Sequence, residues 1–252
     1  MTESKQVITL ITGADKGIGF ETAKELDQKG QHILVGARDQ QRGEKAVEKL
    51  EAAGVQATFI QLDVTNKAQI AAAAEKIKAD YGYLSILINN AGIAMGQHQP
   101  ASEMSTETMR QEFDVNFFGL VDVTQAMIPL LKAGQPAKII NVSSNMGSLG
   151  LATDPNSRFY NVSSLGYQAS KASVDFATIL LSKELITEGI TVNSVNPGWT
   201  ATNFGGRSSE SIKPAGMQDV AMGAAQIVKM ASLPLADPQT GTFTENEGTL
   251  PW

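Results

Sequence analysis

Val7-Ile8-Thr9-Leu10-Ile11-Thr12-Gly13-Ala14-Asp15-Lys16-Gly17-Ile18-Gly19 decides how the rest of the chain is read. The first five residues are apolar or β-branched, the composition of a buried strand. The run then enters a turn rich in glycine and continues with helical periodicity. Glycines let a backbone turn sharply and approach a diphosphate closely, and a helix N-terminus offers unpaired N–H groups and a positive dipole end. The spacing is Gly-x-x-x-Gly-x-Gly, not the commoner Gly-x-Gly-x-x-Gly. A plain glycine turn is the alternative. The strand before and the helix after favour phosphate binding, with Gly13, Asp15, Lys16, Gly17, Ile18 and Gly19 as the candidate cradle.

The same alternation continues outward from this stretch. Ile33-Leu34-Val35 is a second apolar run, followed by a helical segment with Gly43, Ala46, Leu50 and Ala53 on one side. Thr58, Ile60 and Leu62 alternate as a strand does. Asn66 is placed to cap a helix striped by Ile70, Ala74, Ile77 and Tyr81. Leu84–Ile88, Lys138–Val142 and Ile190–Val195 are later strands, with a last one near Thr242-Phe243. A long helix from near Ser163 carries Val174, Ala177, Leu181 and Leu185 on its apolar side. Strands apolar on both faces and separated by helices predict an α/β fold, a parallel sheet covered on both faces. No linker or repeat divides the 252 residues, so a single domain over 1–252 is expected. In such sheets ligands bind beyond the carboxyl ends of the strands.

Composition narrows the chemistry. Hydrophobic residues are 42% and charged residues 18%, as in an ordinary globular chain. A formal charge of −6 without a basic run argues against a nucleic-acid partner. With no cysteine there is no disulfide, thiolate metal site or cysteine nucleophile. Two histidines, His32 and His98, leave almost no material for a histidine metal cluster or hydrolase triad. His98, beside Gln97, Gln99 and Pro100, reads as a loop residue. No apolar run reaches the length of a membrane span or signal peptide, so no membrane partner and a cytoplasmic setting are expected.

Further motifs fall at strand ends. After the second strand, Val35-Gly36-Ala37-Arg38-Asp39 places Ala37 where an acidic residue would bind the ribose hydroxyls of NAD. Arg38 follows, and Lys16 can reach the same point, so the extra phosphate of NADPH is favoured. Asp39 leaves two readings open: turned inward it tolerates NAD, turned outward it is a solvated turn residue. Arg42 reads as a helper to Arg38 or as an exposed helix-start arginine. Asp63-Val64 suits the adenine end of a dinucleotide. Asn89-Asn90-Ala91-Gly92 would let the cofactor lie flat, with at least one asparagine tying loops together. Finally, Tyr167 and Lys171 of Tyr-Gln-Ala-Ser-Lys stand one helical turn apart. A tyrosine has a pKa of about 10, and a nearby fixed cation is expected to draw it toward the working range.

With these motifs in this order, nearly everything from Ile8 onward resembles the short-chain dehydrogenase/reductase family. Within it the chain looks most like the NADPH-dependent carbonyl reductases, because of Lys16 and the stretch GARDQQRGEKAVEKL. The resemblance implies a Rossmann-like, doubly wound parallel sheet of about seven strands, and hydride transfer between a nicotinamide and a carbonyl/alcohol pair. It implies a tetrad of Asn116, Ser144, Tyr167 and Lys171. Asn116 would hold a water linking the lysine to solvent. Ser144 would stabilise the substrate oxygen, with Ser143 as fallback. Tyr167 would be the general acid in reduction or the base in oxidation. Lys171 would lower the phenol pKa and hold the nicotinamide ribose. Tyr160, with Ser164 where a lysine is needed, is rejected. The Asn196-Pro197-Gly198-Trp199-Thr200-Ala201-Thr202 run matches the family's Pro-Gly motif; Pro197, Gly198 and Thr200 would meet the nicotinamide carboxamide and Thr202 a phosphate. Trp199 reads equally as packing or as a pocket wall.

One departure stands out. Ser144 and Tyr167 are 23 positions apart, wider than is common in the family. The surplus, Gly150 to Ser164, reads as an inserted surface loop that either covers the substrate pocket or obstructs the helix face relatives use to assemble. Oligomeric state, monomer, dimer or tetramer, stays open. Substrate choice is assigned to the Ala94–Gln99 loop, the insertion, the Gly205–Met217 loop and Leu250-Pro251-Trp252. Gly205–Ser211 is expected to be a lid that orders over cofactor. The leading expectation is an NADPH-dependent reductase of small or medium aldehydes and ketones. The alternatives are a 3-oxoacyl carrier-protein reductase and a non-catalytic NADPH-binding regulator.

Overall fold

The computed structural model describes residues 5–27, 30–96, 99–206 and 213–252. His98 and residues 207–211 of the expected lid lie outside them. The first half alternates strand and helix: β1 (Val7–Thr12), α1 (Gly17–Asp27), β2 (Gln31–Ala37), α2 (Gln40–Ala52), β3 (Ala57–Gln61), α3 (Lys67–Tyr81) and β4 (Ile86–Asn89). Next come α4 (Thr106–Phe113) and α5 (Gly119–Ala133), joined by a π-helical turn at Asp114–Phe118, and then β5 (Ala137–Val142). The remainder is α6 (Leu149–Thr153), α7 (Leu165–Leu185), β6 (Ile190–Val195), α8 (Val220–Ser232), β7 (Phe243–Glu245) and β8 (Gly248–Thr249).

The strands form one sheet in the order β3-β2-β1-β4-β5-β6-β7-β8, with β7–β8 its antiparallel pair. This is the Rossmann-like arrangement. It has eight strands rather than about seven, because two-residue β8 carries no periodicity to read. Alternate strand residues feed two cores. Ile8, Leu10, Leu34 and Leu87 face α3 and α5, where Ile70, Ile77, Val123 and Met127 meet them. Ile11, Ile33, Val35 and Ile88 face α1, α2 and α8, where Ala23, Leu50 and Ile227 meet them. Each such buried Leu or Ile contributes about 1.5–3 kcal/mol.

Local signals act as their chemistry dictates. Asn66 caps α3 by accepting from the N–H groups of Ala68 and Gln69, and Gly82 ends that helix at φ 78°. The surplus before Tyr167, read as a loop, begins with the short helix α6, which Ser148 caps by accepting from Leu151 N–H at 3.0 Å.

The sheet reverses its winding between β1 and β4. Successive strands run outward from β1 through β2 to β3, and the next returns to β1's other side as β4. Connections after β1 and β4 diverge there and leave a crevice at the strands' carboxyl ends. Among the described residues no helix is long and apolar enough to cross a membrane, and no three His, Cys, Asp or Glu side chains gather as metal ligands would.

Candidate active site

The glycine loop crosses the end of β1 and is held from behind. Thr12 Oγ1 accepts from the N–H groups of Asn90 and Ala91, both at 3.0 Å. The Asn90 amide donates to the carbonyls of Thr12 (2.8 Å) and Gly13 (3.2 Å). Asn89 donates to Thr124 and Asn141. Both asparagines therefore brace loops. A Cβ on Gly19 would stand 2.5 Å from Asn90 Nδ2 and 2.8 Å from Gly13 O, so only glycine lets the helix start this close. Gly17 adopts φ 58°, and a side chain there would fill the gap to Thr202, 3.5 Å away. The first-turn N–H groups of α1 at Gly17, Ile18 and Gly19 lie at this gap, which fits a diphosphate.

At the end of β2, Arg38 is exposed. Asp39 is turned away from the crevice: its carboxylate caps α2 by accepting from Arg42 N–H at 2.8 Å. Arg42 also lies 3.6 Å from Asp15 and 3.7 Å from Asp39, so it ties α2 to the glycine loop. Asp63 accepts from the N–H and hydroxyl of Thr65, and Val64 is buried beside Gly119.

Asn116 lies in the π-helical turn and is 1% exposed. Its side chain exchanges two hydrogen bonds with the Ile93 backbone and donates to Ser170 at 3.0 Å. It thus fastens the β4 loop to α7 one residue before Lys171. Gly92 lies between Asn116 and Lys171, and a Cβ there would come within 3.6 Å of the ammonium.

Ser144, two residues beyond β5, is extended, and its hydroxyl acts on the Tyr167 phenol. Ser143 points the other way, toward Lys171 O behind the pocket, which separates the two candidate serines. The rejected Tyr160 is 49% exposed in the insertion. Tyr167 and Lys171 sit one turn apart on α7, 8% and 4% exposed. The Lys171 ammonium donates to Val142 O at 2.8 Å and lies 5.9 Å from the Tyr167 ring centre.

Burial pushes the Tyr167 phenol up to about 12; the Ser144 hydroxyl opposes this, and the charges of Glu112 and Asp175 add to it. Burial pushes Lys171 down to about 8, opposed by Asp175. This reverses the expectation that the lysine draws the phenol toward neutrality. Desolvation of a nearly enclosed ring outweighs an ammonium turned toward a backbone carbonyl.

The β6 loop completes the far wall. Gly198 adopts φ 73° and Thr200 is buried against Gly223 of α8, donating to the carbonyls of Pro197 and Gly198. Gln218 donates to Pro197 O and to Thr200. Trp199 is half exposed at the bend. Phe204 sets its ring edge-on to Tyr167, 5.8 Å between centres.

The insertion is tied to the site's rim at both ends. Ser163 donates to Gln99 O at 2.7 Å; Gly150 N–H donates to Trp252 O and Ser148 to Pro251 O. Trp252 stacks on Phe243. The segment leaves the outward face of α7 uncovered at Phe176 and Leu180, 63% and 51% exposed.

Sequence reasoning missed four residues here. Glu112, four before Asn116, is fully buried and accepts from Met95 N–H. Asp175, four after Lys171, is 3% exposed. The Asp175 spacing was visible on a helix already read; the helix that carries Glu112 was not. Phe204 and Gln218 lie in loops with no readable spacing.

The family model for short chain dehydrogenase matches residues 7–213. A short-chain dehydrogenase of Penicillium roqueforti is 34% identical, covering 96% of this chain and 95% of its own. The mouse protein Carbonyl reductase [NADPH] 1 is 29% identical over 99% of both chains. The crystal structure of NADPH-bound carbonyl reductase from chicken fatty liver superposes with a TM-score of 0.83, at 26% identity, over 99% of this chain and 100% of that one.

Proposed function

The chain belongs to the short chain dehydrogenase family, and we propose that within it the protein is an NADPH-dependent reductase of small or medium aldehydes and ketones. The observation that carries this reading is the Ser144–Tyr167 pair: a buried phenol held in its acid form, with a buried serine hydroxyl acting on it, at the end of the crevice. Carbonyl reduction needs a proton donor of this kind.

The preference for NADPH rests on the end of β2. Asp39 caps α2 rather than facing the crevice, and Arg42 is engaged by Asp15 and Asp39. Arg38 and Lys16 are left to receive the extra phosphate. The names of the mouse and chicken relatives agree with this choice. The first turn of α1 would hold the diphosphate, Asp63 and Val64 the adenine end, and Asn90, Ala91 and Gly92 the floor under the nicotinamide ribose. Pro197, Gly198 and Thr200 would meet the carboxamide, with Thr202 on a phosphate beside Gly17.

When bound, the nicotinamide supplies a hydride to the carbonyl carbon. The chain's own residues do the rest. Ser144 donates a hydrogen bond to the carbonyl oxygen as negative charge develops there. Tyr167 gives that oxygen its proton, completing the alcohol. Lys171, cationic below about pH 8, holds the ribose and offsets the charge left on the phenolate. Asn116 fixes the β4 loop against α7, keeping Gly92 beside the lysine. The insertion and Trp199 frame the substrate's entry.

The test is cofactor consumption with a panel of aldehydes, ketones and ketoesters, run with NADPH and with NADH. Turnover that favours NADPH at least tenfold supports the reading. Tight NADPH binding with no turnover across the panel overturns it in favour of a cofactor-binding regulator.

A further inference from the structure

Helix α7 carries a third ionisable group in line with the first two. Tyr167, Lys171 and Asp175 are spaced i, i+4 and i+8, so they share one face, each about 6 Å further along the axis. All three are buried. Asp175 is buried where the sheet and α7 meet, and neither of its carboxylate oxygens has a full hydrogen bond. The Ser143 and Ser194 hydroxyls stand near enough to favour the carboxylate form, but neither completes a hydrogen bond to it: Ser143 reaches Lys171 O at 3.4 Å, and Ser194 Oγ shares a hydrogen bond with Thr178 Oγ1 at 2.9 Å. Lys171 and Asp175 form no direct ion pair among the described residues.

A buried carboxylate with neither a full hydrogen bond nor an ion pair is costly, and packing alone does not explain it, since asparagine fills the same space. The one cation that acts on it is Lys171. We propose that Asp175 is a positioning residue: its through-space charge keeps Lys171 cationic inside the site, widening the pH range over which the Tyr167–Lys171 pair works. The charged surroundings are few. Tyr167 and Lys171 face it along α7, and from α4 Glu112 acts on Tyr167. From the end of β5 and from β6 come Ser143 and Ser194, neither ionisable.

The electrostatics follow the geometry. Burial pushes Asp175 up to about 7, opposed by Ser143, Ser194 and Lys171, while Asp175 itself opposes the fall of Lys171. Because the Asp175 value is raised from 3.8, the folded state binds more protons than the unfolded one between those limits. This group therefore lowers stability as pH rises from about 4 to about 7. A residue kept for structure alone would not do so.

The reading of Lys171 as cofactor-binding underlies this inference, and the test keeps the two apart by not depending on turnover. Lysine resonances in isotope-labelled protein, with Lys171→Arg to assign Lys171, give its titration directly. Asp175→Asn is expected to move that titration down by a unit or more, with melting temperature at pH 8 unchanged or higher. Ser194→Ala, which weakens the carboxylate form of Asp175 without touching the lysine, is expected to move it the same way by less, and serves if Asp175→Asn does not fold. The high-pH limit of NADPH affinity, and of turnover where present, should shift with it. A Lys171 titration unmoved in folded Asp175→Asn, or moved upward, overturns the proposal. Absence of turnover by the wild-type protein across the substrate panel, with the Lys171 shift intact, would count against the reductase reading alone.

Discussion

At the β1 and β4 ends most buried side-chain polar atoms have a partner, whereas at α4 and α7 two buried carboxylates keep oxygens without one. Thr12 Oγ1 satisfies two N–H groups, and Asn90 bonds two carbonyls. Asn89 gives both amide hydrogens to neighbours, though its Oδ1 is unpaired. On the other wall, Glu112 Oε2 and both oxygens of Asp175 are orphaned, and Tyr167 and Lys171 are pushed by burial toward their neutral forms. The first region is built to be rigid, the second to hold protons at a cost in stability. On the proposed reading, cofactor placement belongs to one and chemistry to the other.

The largest separation of the two comes from Tyr167→Phe. Turnover should fall by about 10²–10⁴-fold while NADPH affinity, read by fluorescence titration, changes only a few-fold. An equal loss of both would erase the distinction. Arg38→Ala addresses the cofactor wall instead. Losing a charge-assisted contact of about 1.5–3 kcal/mol should cut the preference for NADPH over NADH by about ten- to a hundredfold, with kcat for the better cofactor little changed. Gly19→Ala pushes a methyl into Asn90 and Gly13 O. It should destabilise the fold by about 1–3 kcal/mol in denaturant melts and weaken NADPH binding. The smallest effect is expected from Thr12→Val, which strips a partner from two backbone N–H groups. A loss of about 1–2 kcal/mol with an unchanged pH profile would mark it as scaffold.

Much of the first wall is legible in the sequence because backbone geometry dictates residue type there. Positive φ and close approach demand glycine at Gly17 and Gly19, and a helix start demands a cap such as Asn66. The sheet is legible from its apolar runs, down to β7. What escapes is either too short to show a period, like β8 and α6, or set by tertiary burial. Tyr167 and Lys171 are found by spacing, yet the direction of the phenol's shift is not, because spacing reports a neighbouring charge and is silent about desolvation. Asp175 escapes for the same reason: on the sequence it is a carboxylate on a helix, and its meaning comes from β5 and β6 closing over it.

The account turns on a phenol that keeps its proton beside a lysine that titrates. Between about 8 and 10.5 the folded state binds fewer protons at Lys171 than the unfolded one, so Lys171's contribution to stability rises with pH there, while its charge in the site is lost. The most direct measurement is the pH dependence of kcat/KM for carbonyl reduction by the wild-type protein. The account predicts a plateau through neutrality and a fall as pH rises through about 8. Activity that climbs with pH through neutrality would mean that reduction needs the phenolate, and would contradict it.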